Sequence, residues 1–420
     1  MNARTSATGL AFLALVVLAL CVVWPARTHA QATTWTQRVA TGPSPRGAHA
    51  MAYDSARGVT VLFGGYNEET GASDETWEWN GTLWTQRMVS GPSARILHAM
   101  AYDPARGVVV LFGGAAYDAA TYSIVPLSDT WEWNGTTWTR SEVVGPAPTF
   151  GHAMIYDAAR GHTLLFGGGT NGQEPGSVSW LGGTWEWNGA AWTQREVSGP
   201  SPRSALAMSY DARRDVAVVF GGEAMGPLSD ETWQWNGSEW THAAMAGPSG
   251  RSLHAMVYDG ARGVSVLFGG NLDGNVPDGE TWECDGAGGG AWTQRALTGP
   301  SPRFYHAMAF DAARRVTVLF GGGNYDTGSN GETWELGAGC AVDYDHDGAL
   351  NPDDLGDFIT DFYTPLHLPG PGGYAVACPD NEAPYDAGYR TAFTADGAGQ
   401  CNPPSPDNLG DYVTAYYQGC

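Results

Sequence analysis

Apolar and polar residues alternate along most of the chain in stretches of four to eight residues. One unit contains the segments 49–54, 58–65, 75–81 and 83–87, in which β-branched and aromatic residues alternate with small or polar ones. Glycine, Asn-Gly and Asp-x-x-Arg-Gly sequences separate these segments, which is typical of tight turns between strands. The segments lack the spacing of an amphipathic helix. The pattern therefore predicts four short β-strands per unit.

The unit recurs six times, with a period of about 50 residues. Three markers occur once in each unit. Phe-Gly-Gly begins at Phe63, Phe112, Phe166, Phe220, Phe268 and Phe320; Thr-Trp begins at Thr76, Thr130, Thr184, Thr232, Thr281 and Thr333; Gly-Pro begins at Gly42, Gly91, Gly145, Gly199, Gly247 and Gly299. Six units of four strands predict an all-β, six-bladed β-propeller over residues 33–337.

The fourth strand of the sixth unit is expected at the other end of the chain. The sixth unit stops at 333–336, whereas the other five end with a Trp-Thr strand that begins at Trp84, Trp138, Trp192, Trp240 or Trp292. The missing strand matches residues 34–38, which contain Trp35. We expect this N-terminal strand to complete the sixth blade and close the ring.

The double glycine after an apolar strand, the Thr-Trp-Glu-Trp-Asn-Gly segment and the tryptophan that follows it resemble the kelch repeat, over about residues 33–337. One departure is that Glu-Thr-Trp stands where kelch repeats usually have Asp-Val-Tyr. The resemblance implies a six-bladed propeller. Kelch propellers serve as protein-binding scaffolds, sugar-binding modules and, in a few cases such as galactose oxidase, enzymes, so the resemblance leaves the function open.

Residues that recur in every unit are interpreted as structural, because a catalytic group is not needed six times. Each unit has an Asp-x-x-Arg turn, in which the aspartate is expected to accept backbone amide hydrogen bonds: Asp54 and Arg57, Asp103 and Arg106, Asp157 and Arg160, Asp211 and Arg214, Asp259 and Arg262, Asp311 and Arg314. A histidine opens the first strand of five units, at His49, His98, His152, His254 and His306, and Leu206 replaces it in the fourth. Packing is favoured for these imidazoles over a metal site at the axis.

Function is expected where the units differ, because a rigid scaffold presents variable loops. These loops lie between Phe-Gly-Gly and Thr-Trp, at 66–75, 115–129, 169–183, 223–231, 271–280 and 323–332. By kelch geometry they share one face with the Gly-Pro loops. Aromatic residues in such loops either pin their own loop or contact a sugar ring or a protein surface. The candidates for ligand contact are Tyr66, Tyr117, Tyr122, Trp180 and Tyr325.

The first 32 residues have the pattern of a secretory signal. Arg4 precedes the apolar run 9–23, and small residues around Ala30 and Ala32 provide a cleavage site. The run is shorter than the about 20 residues needed to span a bilayer. We predict a signal peptide over 1–32, a secreted or cell-surface protein, and no membrane span in the mature chain.

The period breaks at Cys340, and residues 340–420 are predicted to form a separate domain. The segment 343–354 has oxygen ligands at positions 1, 3 and 5 of a loop, glycine at 6, a backbone carbonyl at 7 and a carboxylate at 12, which is the spacing that calcium requires. The predicted ligands are Asp343, Asp345, Asp347, Ala349 through its carbonyl, Asn351 through water, and Asp354.

The segment after this loop, 352–363, recurs as 406–417 with apolar residues at helical spacing. A loop and helix in tandem, ending in Gly-Cys, resemble a dockerin, an EF-hand-like module, which implies calcium-dependent attachment to a cohesin-like or cell-surface partner. The second loop, at Asp396, has poor ligands, which leaves a second calcium in doubt. Two disulfides are expected among Cys340, Cys378, Cys401 and Cys420, with Cys284 left over; the sequence does not fix their pairing.

Net charge and composition restrict the binding partners and the types of reaction that this protein can support. The net charge is −23 and there is no lysine, which disfavours nucleic acid as a partner and excludes lysine-based chemistry. A galactose-oxidase-like copper site needs a tyrosine-linked cysteine, whereas the propeller contains only Cys284. We predict a secreted, non-enzymatic protein that binds a glycan or a protein through its variable loops. A carbohydrate-active enzyme of the galactose-oxidase type and a structural or adhesive cell-surface protein are the alternatives.

Overall fold

The computed structural model describes residues 33–118, 123–172, 177–286 and 291–338, and every regular element in these ranges is a β-strand. The strands are β1 (Thr33–Arg38), β2 (Ala50–Asp54), β3 (Val59–Phe63), β4 (Tyr66–Asn67), β5 (Gly71–Ala72), β6 (Thr76–Trp79), β7 (Trp84–Arg87), β8 (Ala99–Asp103), β9 (Val108–Phe112), β10 (Ala115–Asp118), β11 (Ser123–Pro126), β12 (Thr130–Trp133), β13 (Trp138–Ser141), β14 (Ala153–Asp157), β15 (His162–Phe166), β16 (Gly169–Asn171), β17 (Val178–Trp180), β18 (Thr184–Trp187), β19 (Trp192–Arg195), β20 (Ala207–Asp211), β21 (Val216–Phe220), β22 (Thr232–Trp235), β23 (Trp240–Ala243), β24 (Arg251–Ser252), β25 (Ala255–Asp259), β26 (Val264–Leu272), β27 (Val276–Cys284), β28 (Trp292–Arg295), β29 (Ala307–Asp311), β30 (Val316–Phe320), β31 (Gly323–Asn324), β32 (Gly328–Ser329) and β33 (Thr333–Ala338).

Six antiparallel sheets, each with four core strands, form the blades, which confirms the predicted all-β, six-bladed propeller. From the axis outward the blades are β2-β3-β6-β7, β8-β9-β12-β13, β14-β15-β18-β19, β20-β21-β22-β23, β25-β26-β27-β28 and β29-β30-β33-β1, numbered 1 to 6 in this order. The first strands of neighbouring blades contact one another in a closed ring around the axis. Within the described ranges, no helix is long and apolar enough to cross a membrane.

The N-terminal strand closes the ring, as predicted. β1 pairs antiparallel with β33, so that Trp35 lies opposite Leu336 and completes blade 6. The indole of Trp35 then crosses to blade 5, where its Nε1 donates to Thr281 Oγ1 at 3.0 Å.

The core consists of six hydrophobic clusters, one at each interface between neighbouring blades. A tryptophan of each outer strand donates its indole hydrogen to a threonine of the preceding blade at 2.9–3.0 Å: Trp84 to Thr333, Trp138 to Thr76, Trp192 to Thr130, Trp240 to Thr184, Trp292 to Thr232 and Trp35 to Thr281. The Trp-Thr and Thr-Trp markers therefore recur because each forms half of the same contact between blades.

The double glycine allows the backbones of neighbouring blades to touch. Gly64 has φ +70°, and a Cβ there would lie 2.7 Å from the carbonyl oxygen of Arg95 in the next blade. The neighbouring Gly65 donates its N–H to that same oxygen at 3.0 Å. A side chain at Gly64 would therefore separate two blades.

The Asp-x-x-Arg segments form the turns that were predicted. In blade 1, Asp54 Oδ1 accepts the amide hydrogens of Ala56 and Arg57 at 3.0 and 3.1 Å, and Arg57 Nε donates to Asp54 Oδ2 at 2.7 Å. The same guanidinium also pairs with Glu78 on β6. In blades 1, 2, 5 and 6 the arginine pairs with a glutamate of the third strand and so joins strands within the blade. In blade 3, Arg160 instead donates to the carbonyl oxygens of Asp215 and Asn236 in blade 4.

Several predictions concern residues outside the described ranges. These are the signal peptide, the calcium loop and the duplicated helices of 340–420, the four candidate disulfide cysteines, and Tyr122.

Candidate ligand-binding site

A closed ring of backbone hydrogen bonds surrounds the axis, one residue before each histidine position. Each residue of this ring, called the collar here, donates its N–H to the carbonyl oxygen of its counterpart in the preceding blade at 2.7–3.1 Å: Ala48 to Tyr305, Leu97 to Ala48, Gly151 to Leu97, Ala205 to Gly151, Leu253 to Ala205 and Tyr305 to Leu253. All six have φ between 54° and 63°. This conformation costs an L-residue about 1–2 kcal/mol, which the shared hydrogen bonds offset.

The collar fixes where the variable loops begin. The residue before each collar position pairs with the start of the loop in the same blade, as in Gly47 with Tyr66, Ile96 with Ala115 and Phe304 with Gly323. The loops and the chain after each Gly-Pro therefore lie on one face, as kelch geometry implied. This face is called the loop face below.

The axial histidines are buried and packed against aromatic rings. His98, for example, meets Phe63 of the preceding blade edge-on, with 5.6 Å between ring centroids. The five imidazoles, Leu206 and the collar line an axial cavity of about 110 Å³. Within the described part of the chain, neither ring nitrogen of any of the five has a hydrogen-bond partner.

Burial keeps these histidines neutral. It lowers the pKa of His49, His152 and His306 to about 3, and the pKa of His98 and His254 well below the usual range. Among the described residues, no group of three or more His, Cys, Asp or Glu side chains is arranged to hold a metal ion. The histidines pack the axis as neutral rings.

A cavity on the loop face spans blades 6, 1 and 2. Its volume is about 540 Å³, and its walls are mainly aromatic and aliphatic. We call it the aromatic cavity; its main lining residues are Tyr66, Tyr117, Ile124, Phe304, Tyr305 and Tyr325. Ile96, Ala115 and Phe150 form an apolar cluster that supports one wall, because Tyr66, Tyr117 and Ile124 pack against it.

The rings of the aromatic cavity form two groups. Tyr66 and Tyr117 meet edge to face, with 4.9 Å between centroids and an interplanar angle of 86°. On the other side, Phe304 contacts Tyr305 at 5.3 Å and Tyr325 at 4.8 Å. Burial, with Glu223 and Tyr325 nearby, raises the pKa of Tyr305 to about 12, so this phenol remains neutral. The two groups lie on opposite sides of the cavity, and ring contacts within each group hold its wall in place.

Few polar side chains line the aromatic cavity. Ser329 Oγ donates to Glu68 Oε1 at 2.9 Å and so links the loops of blades 6 and 1. Asn324 Nδ2 donates to the carbonyl oxygen of Pro302 at 3.2 Å, which fixes the loop that carries Tyr325. Glu68 is exposed and is the carboxylate among the lining residues.

The structure brings three of the predicted loop aromatics together at this cavity. Tyr66 and Tyr117 are partly buried, whereas Tyr325 is 61% exposed. Trp180 lies on β17 of blade 3, outside the lining, and Tyr122 lies outside the described residues. Cys284 is a buried free thiol, at a position of blade 5 where blade 1 has Trp79.

Four residues that form much of the wall were not predicted from the sequence: Phe304, Tyr305, Ile96 and Leu97. They belong to a dipeptide that precedes each histidine position and differs in every unit: Gly-Ala, Ile-Leu, Phe-Gly, Ser-Ala, Ser-Leu and Phe-Tyr. This dipeptide varies between units as the loops do. The same criterion of sequence variation would therefore have identified it.

Comparison with known proteins agrees with this fold. Residues 26–222 match the family model of the KLHDC2/KLHL20/DRC7 Kelch-repeats domain. The solved structure titled "Structure of YjhT" is similar with a TM-score of 0.54 and 14% identity, over 70% of this chain and 95% of that chain; at this identity the likeness shows the fold alone. No curated protein sequence matches the chain. The chain therefore contains a kelch-repeat domain that folds as a six-bladed β-propeller.

Proposed function

We propose that this protein is a binding protein, and that the aromatic cavity receives an apolar side chain of a partner protein. The observation that carries the proposal is a cavity of about 540 Å³ with aromatic and aliphatic walls on the face that bears the variable loops. Anchors of this kind, buried in a preformed pocket, supply much of the affinity of protein interfaces.

The lining favours a protein anchor over a sugar. A sugar ring carries several hydroxyl groups, and each one that is buried without a hydrogen bond costs free energy. The side-chain partners in this cavity are few, and Glu68 and Ser329 already bond to each other. The Tyr66 and Tyr117 rings meet at 86°, so they do not form one flat stacking surface. An aliphatic or aromatic side chain needs neither hydrogen-bond partners nor a flat stacking surface.

Charge favours basic residues beside the anchor. Glu68 is exposed at the cavity, and the chain has a net charge of −23. Complementary charge at the edge of an interface accelerates association and selects partners. The expected partner segment therefore has a large apolar residue flanked by arginine or lysine.

The collar supports the proposal by making the cavity rigid. Ala48, Leu97 and Tyr305 belong both to the collar and to the cavity wall. Their backbone is held by hydrogen bonds on both sides, so little ordering is required when a partner binds. Preorganisation of this kind increases affinity without any new contact.

Displayed peptides with one apolar anchor and basic flanks are the direct test. We expect selected peptides to bind the full chain, and Tyr325→Ala and Ile124→Ser each to weaken them at least tenfold, about 1.4 kcal/mol. Met225→Ala is the matched control, because Met225 is 89% exposed on a blade 4 loop and does not line the cavity. If Tyr325→Ala leaves peptide affinity unchanged, or abolishes binding on a glycan array instead, the protein-binding proposal is wrong.

The proposal assigns no catalysis to this cavity. Its titratable lining groups are Glu68 and tyrosines, whereas glycoside hydrolysis usually employs two carboxylates. Turnover of a sugar substrate that is lost in Glu68→Gln would favour the enzyme alternative.

For the rest of the chain we propose, from sequence alone, export directed by residues 1–32 and calcium-dependent attachment through residues 340–420. The spacing of Asp343, Asp345 and Asp347 supports the calcium site. Export is tested by finding the mature N-terminus near Ala30 or Ala32 in the secreted fraction. Attachment is tested by whether a chelator releases the protein from the cell surface.

A further inference from the structure

Five of the six blades contain a buried arginine paired with an acidic side chain near the loop face. The pairs are Arg46 with Glu75, Arg95 with Asp129, Arg203 with Glu231, Arg251 with Glu280, and Arg303 with Glu332. In each of these blades the indole nitrogen of a tryptophan two residues after the acid also donates to that carboxylate, at 2.6–3.1 Å.

Blade 1 shows what the arginine fills. Arg46 donates from Nε to the carbonyl oxygen of Ser44 and from Nη1 to that of Gly64, both at 3.1 Å. The Glu75 carboxylate accepts from Gln86 Nε2 at 3.0 Å in addition to the arginine and the indole. The guanidinium and the carboxylate together occupy the space between the Gly-Pro loop and the outer strands.

Blade 3 has lost both charges. Thr149 stands at the arginine position, Gly183 at the acid position, and Ala147 where blade 1 has Ser44. A cavity of about 200 Å³, called the blade 3 cavity, lies between these residues. Its wall includes Trp185 and Gln194, the counterparts of the indole and the amide that hold the carboxylate in blade 1.

The groups around the blade 3 cavity can both donate and accept hydrogen bonds. Trp185 Nε1 and Gln194 Nε2 have lost the carboxylate that their counterparts bind, because Gly183 has no side chain. The carbonyl oxygens of Ala147 and Gly167 have likewise lost the guanidinium that reaches their counterparts in blade 1. Trp185 is partly buried and Gln194 is exposed, so water can reach these groups. A ligand that replaces this water must offer both donors and acceptors to keep the set satisfied.

Because blade 3 lacks both the arginine and the acid, its cavity favours a neutral ligand over a charged one. A buried cation would lack the acid that Gly183 replaces, and a buried anion would lack the arginine that Thr149 replaces; either would bear an uncompensated desolvation cost. A neutral polar ligand avoids this cost. The volume of about 200 Å³ suits one monosaccharide unit, whose apolar ring face can lie against Pro146 and Leu165.

We infer that the blade 3 cavity is a binding site for a neutral hexopyranose unit. In this site Gln194 and Trp185 donate to ring or hydroxyl oxygens, and sugar hydroxyls donate to the carbonyl oxygens of Ala147 and Gly167. This inference goes beyond the proposed function, because the site, its residues and its ligand are separate from the aromatic cavity.

The test uses the full chain, calorimetry, and methyl pyranosides of glucose, galactose and mannose as probes, with glucuronate and arginine amide as charged comparators. We expect at least one neutral pyranoside to bind. The double variant Thr149→Arg with Gly183→Glu, which restores the ion pair of the other five blades, should reduce its affinity at least tenfold. Trp185 must shift in this variant, because a Cβ at Gly183 would lie 2.8 Å from its Nε1.

A milder variant covers the case in which the double variant fails to fold. Gln194 is exposed, so Gln194→Ala should leave the fold intact and weaken the pyranoside severalfold. Gln86→Ala, the same change in blade 1 where the ion pair is in place, is the matched control and should have no effect. Tyr325→Ala should also have none, which separates this site from the aromatic cavity.

Three results would overturn the inference. These are no binding of any neutral pyranoside, binding that survives both the double variant and Gln194→Ala, and binding of glucuronate or arginine amide in preference to the neutral sugars.

Discussion

Acid should destabilise this propeller through its axial histidines, and replacing one of them by leucine should remove a defined part of that effect. The five imidazoles are only 5–6% exposed, and burial lowers the pKa of His152 to about 3. Blade 4 already has a leucine at this position, where Leu206 belongs to the hydrophobic cluster between blades 3 and 4. His152→Leu therefore substitutes a side chain that the fold accommodates elsewhere.

The magnitude follows from the difference in pKa between the folded and unfolded chains. An unfolded histidine has a pKa of about 6.5. Between pH 6.5 and pH 3 the unfolded chain therefore binds more protons than the folded one, so stability is present above pH 6.5 and is lost as pH falls. From pH 7.5 to pH 5.5 one such histidine costs about 1 kcal/mol. The other four axial histidines, whose pKa burial also lowers, act in the same direction.

Urea unfolding at pH 7.5, 6.5 and 5.5 measures this effect. Between the highest and lowest pH, His152→Leu should lose about 1 kcal/mol less stability than the wild type. Replacing the exposed His242 by leucine controls for the loss of a histidine as such. If the wild type and His152→Leu lose the same stability, the axial imidazoles take up protons in the folded state, and the argument from burial is refuted.

Three further predictions concern closure, the collar and the tail. Thr281→Val should lower the free energy of unfolding by about 1–3 kcal/mol in chemical denaturation, because it leaves the buried indole nitrogen of Trp35 without an acceptor; a loss no larger than that of an exposed Thr→Val control would contradict this. Ala205→Gly should raise the free energy of unfolding by about 0.5–1 kcal/mol, since Ala205 has φ 54°, and a decrease would show that the collar conformation is not strained. Calorimetry of the full chain should detect calcium binding that Asp343→Ala and Asp347→Ala each weaken at least tenfold; equal binding in all three proteins would place any calcium elsewhere.

The architecture could be predicted from sequence because the recurring residues contact each other directly. The tryptophan of Trp-Thr bonds to the threonine of Thr-Trp in the preceding blade, so both must be present wherever two blades meet. The same rule located the closing strand, since Trp35 was the one such tryptophan without a complete unit. Because every contact between blades requires the same tryptophan and threonine, the number of blades can be counted from these pairs in the sequence.

The candidate site could be predicted only in part, because it depends on which blades are neighbours across the closure. Tyr325 belongs to the last unit and Tyr66 to the first, and they approach each other only because the ring closes between them. Selecting variable loops found these two residues but could not show that Trp180 lies apart from them. The left-handed collar, which aims Tyr305 into the cavity, has no simple sequence signal, since alanine, leucine, glycine and tyrosine all occupy it.

Differences between blades are tolerated because the ring is held by contacts that do not involve the variable side chains. The collar uses backbone atoms alone, so Ala48 and Leu253 form the same hydrogen bonds with different side chains. Blade 3 lacks its arginine, yet Trp192 still bonds to Thr130 and Trp240 to Thr184 on its two sides. Side chains on the loop face are thus free to differ between blades at little cost to closure. In the other five blades the arginine and the acid fill the space that is open around Gly183 in blade 3. That space is available for a ligand.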